Sequence, residues 1–231
     1  MPVSACTSSI RSPLLRGASL LVLLALLDGC GTATVSLREG PRSFTEADYE
    51  DVYAAWSRDD DDFDWGQLRS VLHVTATYES WEFRWGYVVR YAADHSLDTD
   101  ARTALLRASL DDARENHRFF VTLAGEDWRQ ANLTSARSAW RVLLVDDRGN
   151  QIAPAGLERL RRPSAAESAY FPTVSPQRQA FRITFPARRP DGSPTIPLDS
   201  RHLILRFTGA LGRVDLRWEL DPVPDPGEGP R

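Results

Sequence analysis

The sequence predicts an α+β fold: an antiparallel β-sandwich with an N-terminal helical portion or insertion. Three observations predict it. Apolar residues recur at helical spacing in the N-terminal half, at Tyr49, Val52, Tyr53 and Trp56 and again from Trp81. Apolar and polar residues alternate through most of the C-terminal half, as in Phe181-Ile183-Phe185. Two clean alternations, Leu203-Leu205-Phe207 and Val214-Leu216-Trp218, flank Gly209 to Gly212 and read as a hairpin.

Each element follows from the residues in turn. Ser43-Phe44-Thr45-Glu46 has capping-box spacing, and Glu46, Asp48 and Glu50 place negative charge where a helix dipole favours it, so a helix is expected over about 45–57. The stretch "RDDDDFDWG", Arg58 to Gly66, reads as a charged loop. Leu72, Val74, Ala76 and Tyr78 then alternate with polar residues as a half-buried strand. From Ser80 the period becomes helical, with Trp81, Trp85, Val88, Val89 and Ala92 on one face. A further helix follows Asp98-Thr99. Phe119-Val121-Leu123 and Trp140-Val142-Leu144 are strands, the second ending at the turn Asp147 to Asn150. Residues 161–178 read as a long loop containing Pro and Ser. The tail from Asp221 carries four Pro and two Gly and reads as disordered. The expectation is about three helices and about six strands, a pattern that resembles an immunoglobulin-like sandwich with helices inserted between its first strands.

Composition narrows the chemistry. The chain contains no lysine; its 28 basic residues are all arginine. That excludes Schiff-base chemistry, a P-loop lysine and a lysine general base. A net charge of −4 with scattered bases argues against nucleic acid as a partner. No GxSxG elbow, GxGxxG loop or HExxH motif occurs, so no catalytic residue is assigned and no cofactor is expected. The histidines, His73, His95, His117 and His202, have no metal-ligand spacing. Asp60, Asp62 and Asp64 do have the 1-3-5 spacing of a calcium loop. However, Trp65 stands at the sixth position and Val71 at the twelfth, where such loops carry Gly and Glu. They are the only metal candidates, and a solvated acidic loop is the preferred reading of them. Trp81, Trp85, Tyr87 and Tyr91 read as core, with a binding platform as the alternative.

The N-terminus speaks to location. Arg11 and Arg16 precede an unbroken apolar run from Leu20 to Leu27, far short of the roughly 20 residues that span a bilayer. This is the layout of an export signal. It ends at Leu27-Asp28-Gly29-Cys30, which resembles the lipobox of bacterial lipoprotein precursors, with Asp28 where that family has a small uncharged residue. The resemblance implies cleavage before Cys30 and lipidation of its sulfur. The only other cysteine, Cys6, would leave with the signal. Processing would remove two Arg and one Asp and bring the net charge to about −5. Multiple acyl chains anchor stably where one does not, and Gly31 leans towards the outer membrane by family habit.

The expected organisation is a signal peptide over 1–29, a tether over 30–44, one α+β domain over 45–220 and a tail over 221–231. The expected function is a non-catalytic, lipid-anchored envelope module. It would be membrane-bound through Cys30, sit in the periplasm or at the cell surface, and bind another envelope protein or a cell-wall component. The alternatives are a periplasmic hydrolase acting on an envelope glycan or lipid, and a calcium-stabilised module.

Overall fold

The computed structural model describes residues 33–64, 66, 69–125, 128–129 and 131–222. The signal peptide, Cys30 and nearly all of the tail lie outside the described residues.

The first strand, β1 (Thr34–Val35), is followed by a 3-10 turn (Glu46–Asp48) running into α1 (Tyr49–Trp56). The capping pair there is Thr45 and Asp48, rather than Ser43 and Glu46: the Asp48 carboxylate accepts the Thr45 N–H at 2.6 Å and its hydroxyl at 2.8 Å. Next come β2 (Ser57–Asp64), β3 (Arg69–Tyr78), α2 (Trp81–Asp94) and α3 (Thr99–Glu115). Ser80 and Asp98 start the two longer helices by accepting the N–H groups of Phe83 and Ala101. The remainder is β4 (Asn116–Gly125), β5 (Trp140–Asp146), β6 (Gln151–Ile152), β7 (Gly156–Leu160), α4 (Ala165–Tyr170), β8 (Gln179–Pro186), β9 (His202–Gly209) and β10 (Gly212–Leu220).

The strands form two sheets, in the orders β1-β10-β9-β5-β6 and β2-β3-β4-β8-β7. All pairings are antiparallel except β1 with β10. The class is therefore α+β, with helices α2 and α3 inserted between two neighbouring strands of one sheet. Buried residues of both sheets belong to one hydrophobic cluster, which includes Leu72, Val74, Phe119 and Phe181 from one and Leu205, Phe207 and Trp218 from the other. Fully buried Trp56 ties this cluster to the helices: its carbonyl accepts from Trp218 Nε1 at 2.9 Å, and its own Nε1 donates to Glu82 at 3.1 Å.

Four sequence expectations change. The acidic stretch Arg58 to Asp64 is a strand, not a loop. Its register sets Arg58 opposite Ala76, Asp60 opposite Val74 and Asp62 opposite Leu72. Directly paired residues share a sheet face, so these charged side chains lie on the core-facing side, at the sheet's rim. There they bond the backbone of β10, beyond the two residues that β1 covers: Arg58 Nε donates to the Arg217 carbonyl at 3.0 Å, and Asp62 accepts the Arg213 N–H. Hydrophobic alternation fails as a signal because the inward groups meet polar backbone instead of apolar core.

The stretch expected as a tether is largely folded onto the body. Val35 is buried and pairs with Leu220, Asp221 donates to its carbonyl, and Trp81 Nε1 donates to the Gly40 carbonyl at 2.8 Å. The loop expected over 161–178 contains α4, whose Ser164 and Glu167 close a capping box. Strands β6 and β7 are too short and too polar to register as alternations, so the strand count was set too low.

Candidate functional site

The first cavity with convergent polar groups forms where β3 ends and β4 begins. It has a volume of about 220 Å³. Leu37, Trp81, Ile196 and Leu198 supply apolar wall, Tyr78, Asn116 and His117 supply neutral polar groups, and Glu39, Glu79, Arg114 and Arg188 also line it. Apolar walls with few polar groups describe a small-molecule site. Tyr78 pairs with Phe119 across the sheet, so His117, two residues from Phe119, is its diagonal neighbour on the same face. The Tyr78 hydroxyl lies 2.7 Å from His117 Nδ1. Among the described residues this is the hydroxyl's hydrogen bond, and which partner donates follows the tautomer of the ring.

Electrostatics fixes both groups as neutral. Burial lowers the His117 pKa to about 4, and the Arg84 guanidinium adds to the effect. Burial raises the Tyr78 hydroxyl well above its ordinary value, with Arg84 opposing weakly. Neither group is near the range in which a side chain exchanges protons efficiently at neutral pH. The pair can orient a hydrogen bond; it is poorly suited to general acid–base work. At the rim, Arg114 bonds Glu39 at 3.0 Å and stands 4.8 Å above the Trp81 ring. This pins the segment expected as a tether over the cavity.

The remaining sequence candidates are dispersed. Asp60 and Asp62 lie in β2, where alternate residues are roughly 6.6 Å apart along the backbone. Asp64 ends the strand beyond a bulge at Asp62/Phe63. Among the described residues no group of three or more His, Cys, Asp or Glu is placed to hold a metal ion. His73 lies in β3, His95 caps α2 with Nδ1 2.9 Å from the Tyr91 carbonyl, and His202 meets Arg217.

The aromatic helix splits by face. Tyr87 packs against Tyr49, Tyr170 and Phe171, a cluster inside the fold and not a platform. Trp81 and Trp85 line an open groove of about 540 Å³ between α2 and α3. The two helices are locked by Arg84, which donates to the Glu79 and Ser109 carbonyls and pairs with Asp112 at 2.7 Å.

In the sequence His117 carries no metal-ligand spacing, and nothing local connects it with Tyr78. The two are 39 residues apart, and only the β3–β4 register makes them neighbours. The available signal was that Tyr78 ends the inward row Leu72, Val74, Ala76 and that His117 and Phe119 share a face.

No family model, curated protein or solved structure matches this chain.

Proposed function

We propose that this chain is a non-catalytic, lipid-anchored module of the bacterial envelope, which binds or scaffolds an envelope protein or a cell-wall component. The observation that carries the binding role is the Tyr78–His117 pair at the base of an apolar cavity. Its two groups keep fixed protons at neutral pH, so the pair orients a ligand's polar group without exchanging protons with it. A cavity of about 220 Å³ suits a small, partly apolar group, such as one side chain or one end of a larger partner.

Two further readings belong to the proposal. The two sheets pack face to face as an immunoglobulin-like sandwich, which their shared hydrophobic cluster supports. The anchor is a lipid on Cys30, which the lipobox-like Leu27-Asp28-Gly29-Cys30 supports. Only three residues separate Cys30 from Thr34 in β1, a reach of roughly 14 Å at full extension. The module would therefore work close to its membrane, most simply the outer one. No helix of the described residues is long and apolar enough to cross a membrane.

The test is radiolabelled palmitate incorporation with membrane fractionation in a bacterial host, comparing the native chain with Cys30→Ala. The proposal expects label and membrane association in the native chain and loss of both in the variant. A native chain that is unlabelled and recovered in the soluble fraction overturns the anchor.

A further inference from the structure

At the opposite edge of its sheet from β2, beside β7, lies a cleft of about 370 Å³ lined by Trp128, Arg159, Arg161 and Arg178 together with Ser168 and Ser175. None of the described residues lining it is acidic, although acids outnumber bases in the chain as a whole.

Arg178 is the informative member. It is half-buried, and its Nη1 donates to the Thr75 hydroxyl at 2.9 Å and, more weakly, to that of Thr122 at 3.5 Å. Both partners are neutral. Elsewhere the well-covered arginines meet carboxylates: Arg84 and Arg118 pair with Asp112, Arg182 with Glu79 and Glu167, Arg189 with Asp146, and Arg206 with Asp215. A partly buried cation is costly without a counter-charge. Here the fold holds one on two threonines and, among the described residues, gives it no carboxylate. Arg159 is likewise positioned without a carboxylate among the described residues, its guanidinium 5.5 Å from the Trp128 ring centre. Gln179 secures that tryptophan's backbone by donating to its carbonyl at 2.7 Å.

We propose that this cleft binds a phosphate group. Three guanidinium groups with no acid among the described lining residues suit an anion of more than one charge, and a phosphate monoester carries about −1.5 to −2 at neutral pH with three acceptor oxygens. A single carboxylate would leave most of that charge unanswered. Arginine's planar fork matches phosphate oxygens in pairs. The Trp128 ring, 44% exposed, offers an apolar surface to whatever carries the phosphate. The inference is independent of the Tyr78–His117 cavity.

Phosphorus NMR line broadening of inorganic phosphate, with calorimetric titration, tests the site on the full chain carrying Cys30→Ala, so that no lipid anchor interferes. Binding is expected. Arg178→Gln and Arg161→Gln should each weaken it at least tenfold, while Arg141→Gln, an exposed arginine on β5, leaves it unchanged. Co-sedimentation with vesicles containing phosphatidic acid, whose headgroup is a phosphate monoester, against phosphatidylcholine vesicles, separates the two sources. Sedimentation that phosphate competes away assigns a lipid headgroup; phosphate binding without sedimentation assigns a free phosphate compound. Because Arg178 has no carboxylate partner among the described residues, Arg178→Gln should keep or raise the melting temperature, the signature of a residue held for binding. If that variant does not fold, Arg178→Lys keeps the charge and loses the fork, and tenfold weakening is still expected. The proposal is overturned if phosphate does not bind at millimolar concentration, or if Arg141→Gln weakens binding as much as the cleft variants do.

Discussion

The carboxylate of Asp62 accepts the backbone N–H of Arg213 at 3.0 Å, joining residues 151 positions apart and docking β2 onto the start of β10. The contact exists because position 212 is glycine. A Cβ there would stand 1.5 Å from Asp62 Oδ2, and the backbone is at φ +152°, which L side chains rarely adopt. One glycine thus serves the hairpin turn and the seam between the two sheets.

Gly212→Ala is expected to destabilise the fold by at least about 2 kcal/mol, through backbone strain and the collision with Asp62. Asp62→Ala alone should cost about 1 kcal/mol, the worth of one hydrogen bond to a charged group with part of its exposure retained. In urea melts the double variant should be less destabilised than the sum of the two, because Asp62→Ala removes the collision. Strict additivity would mean that the two positions do not touch.

Stability should fall as pH drops from about 6.5 to about 4. The folded state keeps His117 unprotonated down to about pH 4, whereas an unfolded histidine takes up its proton near 6.5. Between these values the unfolded chain binds the extra proton, and stability is lost as it does. The full effect is on the order of 3 kcal/mol at most. His117→Gln should flatten this part of a denaturation-versus-pH curve. An unchanged slope in the variant would assign the loss to other groups.

Asp146→Asn should cost about 3 kcal/mol. The Asp146 carboxylate is buried and accepts from Asn150 N and Nδ2, from Arg148 N and from Arg189. Burial alone would raise its pKa, but these donors outweigh burial and hold it below the ordinary carboxylate range. The substitution strands the half-buried Arg189 without its counter-charge. Thermal melts at neutral pH would show this as a loss well beyond that of Asp147→Asn, the half-buried neighbour whose carboxylate accepts the Arg201 N–H at 2.9 Å.

Calcium should not change the melting temperature. Asp62 is engaged by the Arg213 N–H, and no group of three or more ligand side chains gathers among the described residues, so millimolar calcium and a chelator should give superimposable melts. A rise with calcium would require that the strand reorganise around the ion.

Much of the fold was legible in local pattern. The helix after Asp98, the hairpin over 203–218 and the strands around Phe119, Trp140 and Phe181 were read from spacing alone, because each has one face against the core and that face sets the period. The acidic strand β2 was not legible. Its inward groups are Arg58, Asp60 and Asp62, whose partners include β10 backbone atoms more than 150 positions away. The candidate sites were less legible still. His117 and Tyr78 meet only through the β3–β4 register, and Trp128, Arg159 and Arg178 come from three separate segments.

By itself the sequence determined the α+β class, the positions of most core strands and helices, and the exclusion of lysine-based chemistry. Periodicity and composition are local properties that need no partner to be read. Only the tertiary structure decided which charges are balanced. It gave Arg84, Arg118, Arg182, Arg189 and Arg206 their carboxylates and left Arg178 on two threonines. Charge balance is set by distance and burial, and neither is fixed until distant segments pack together.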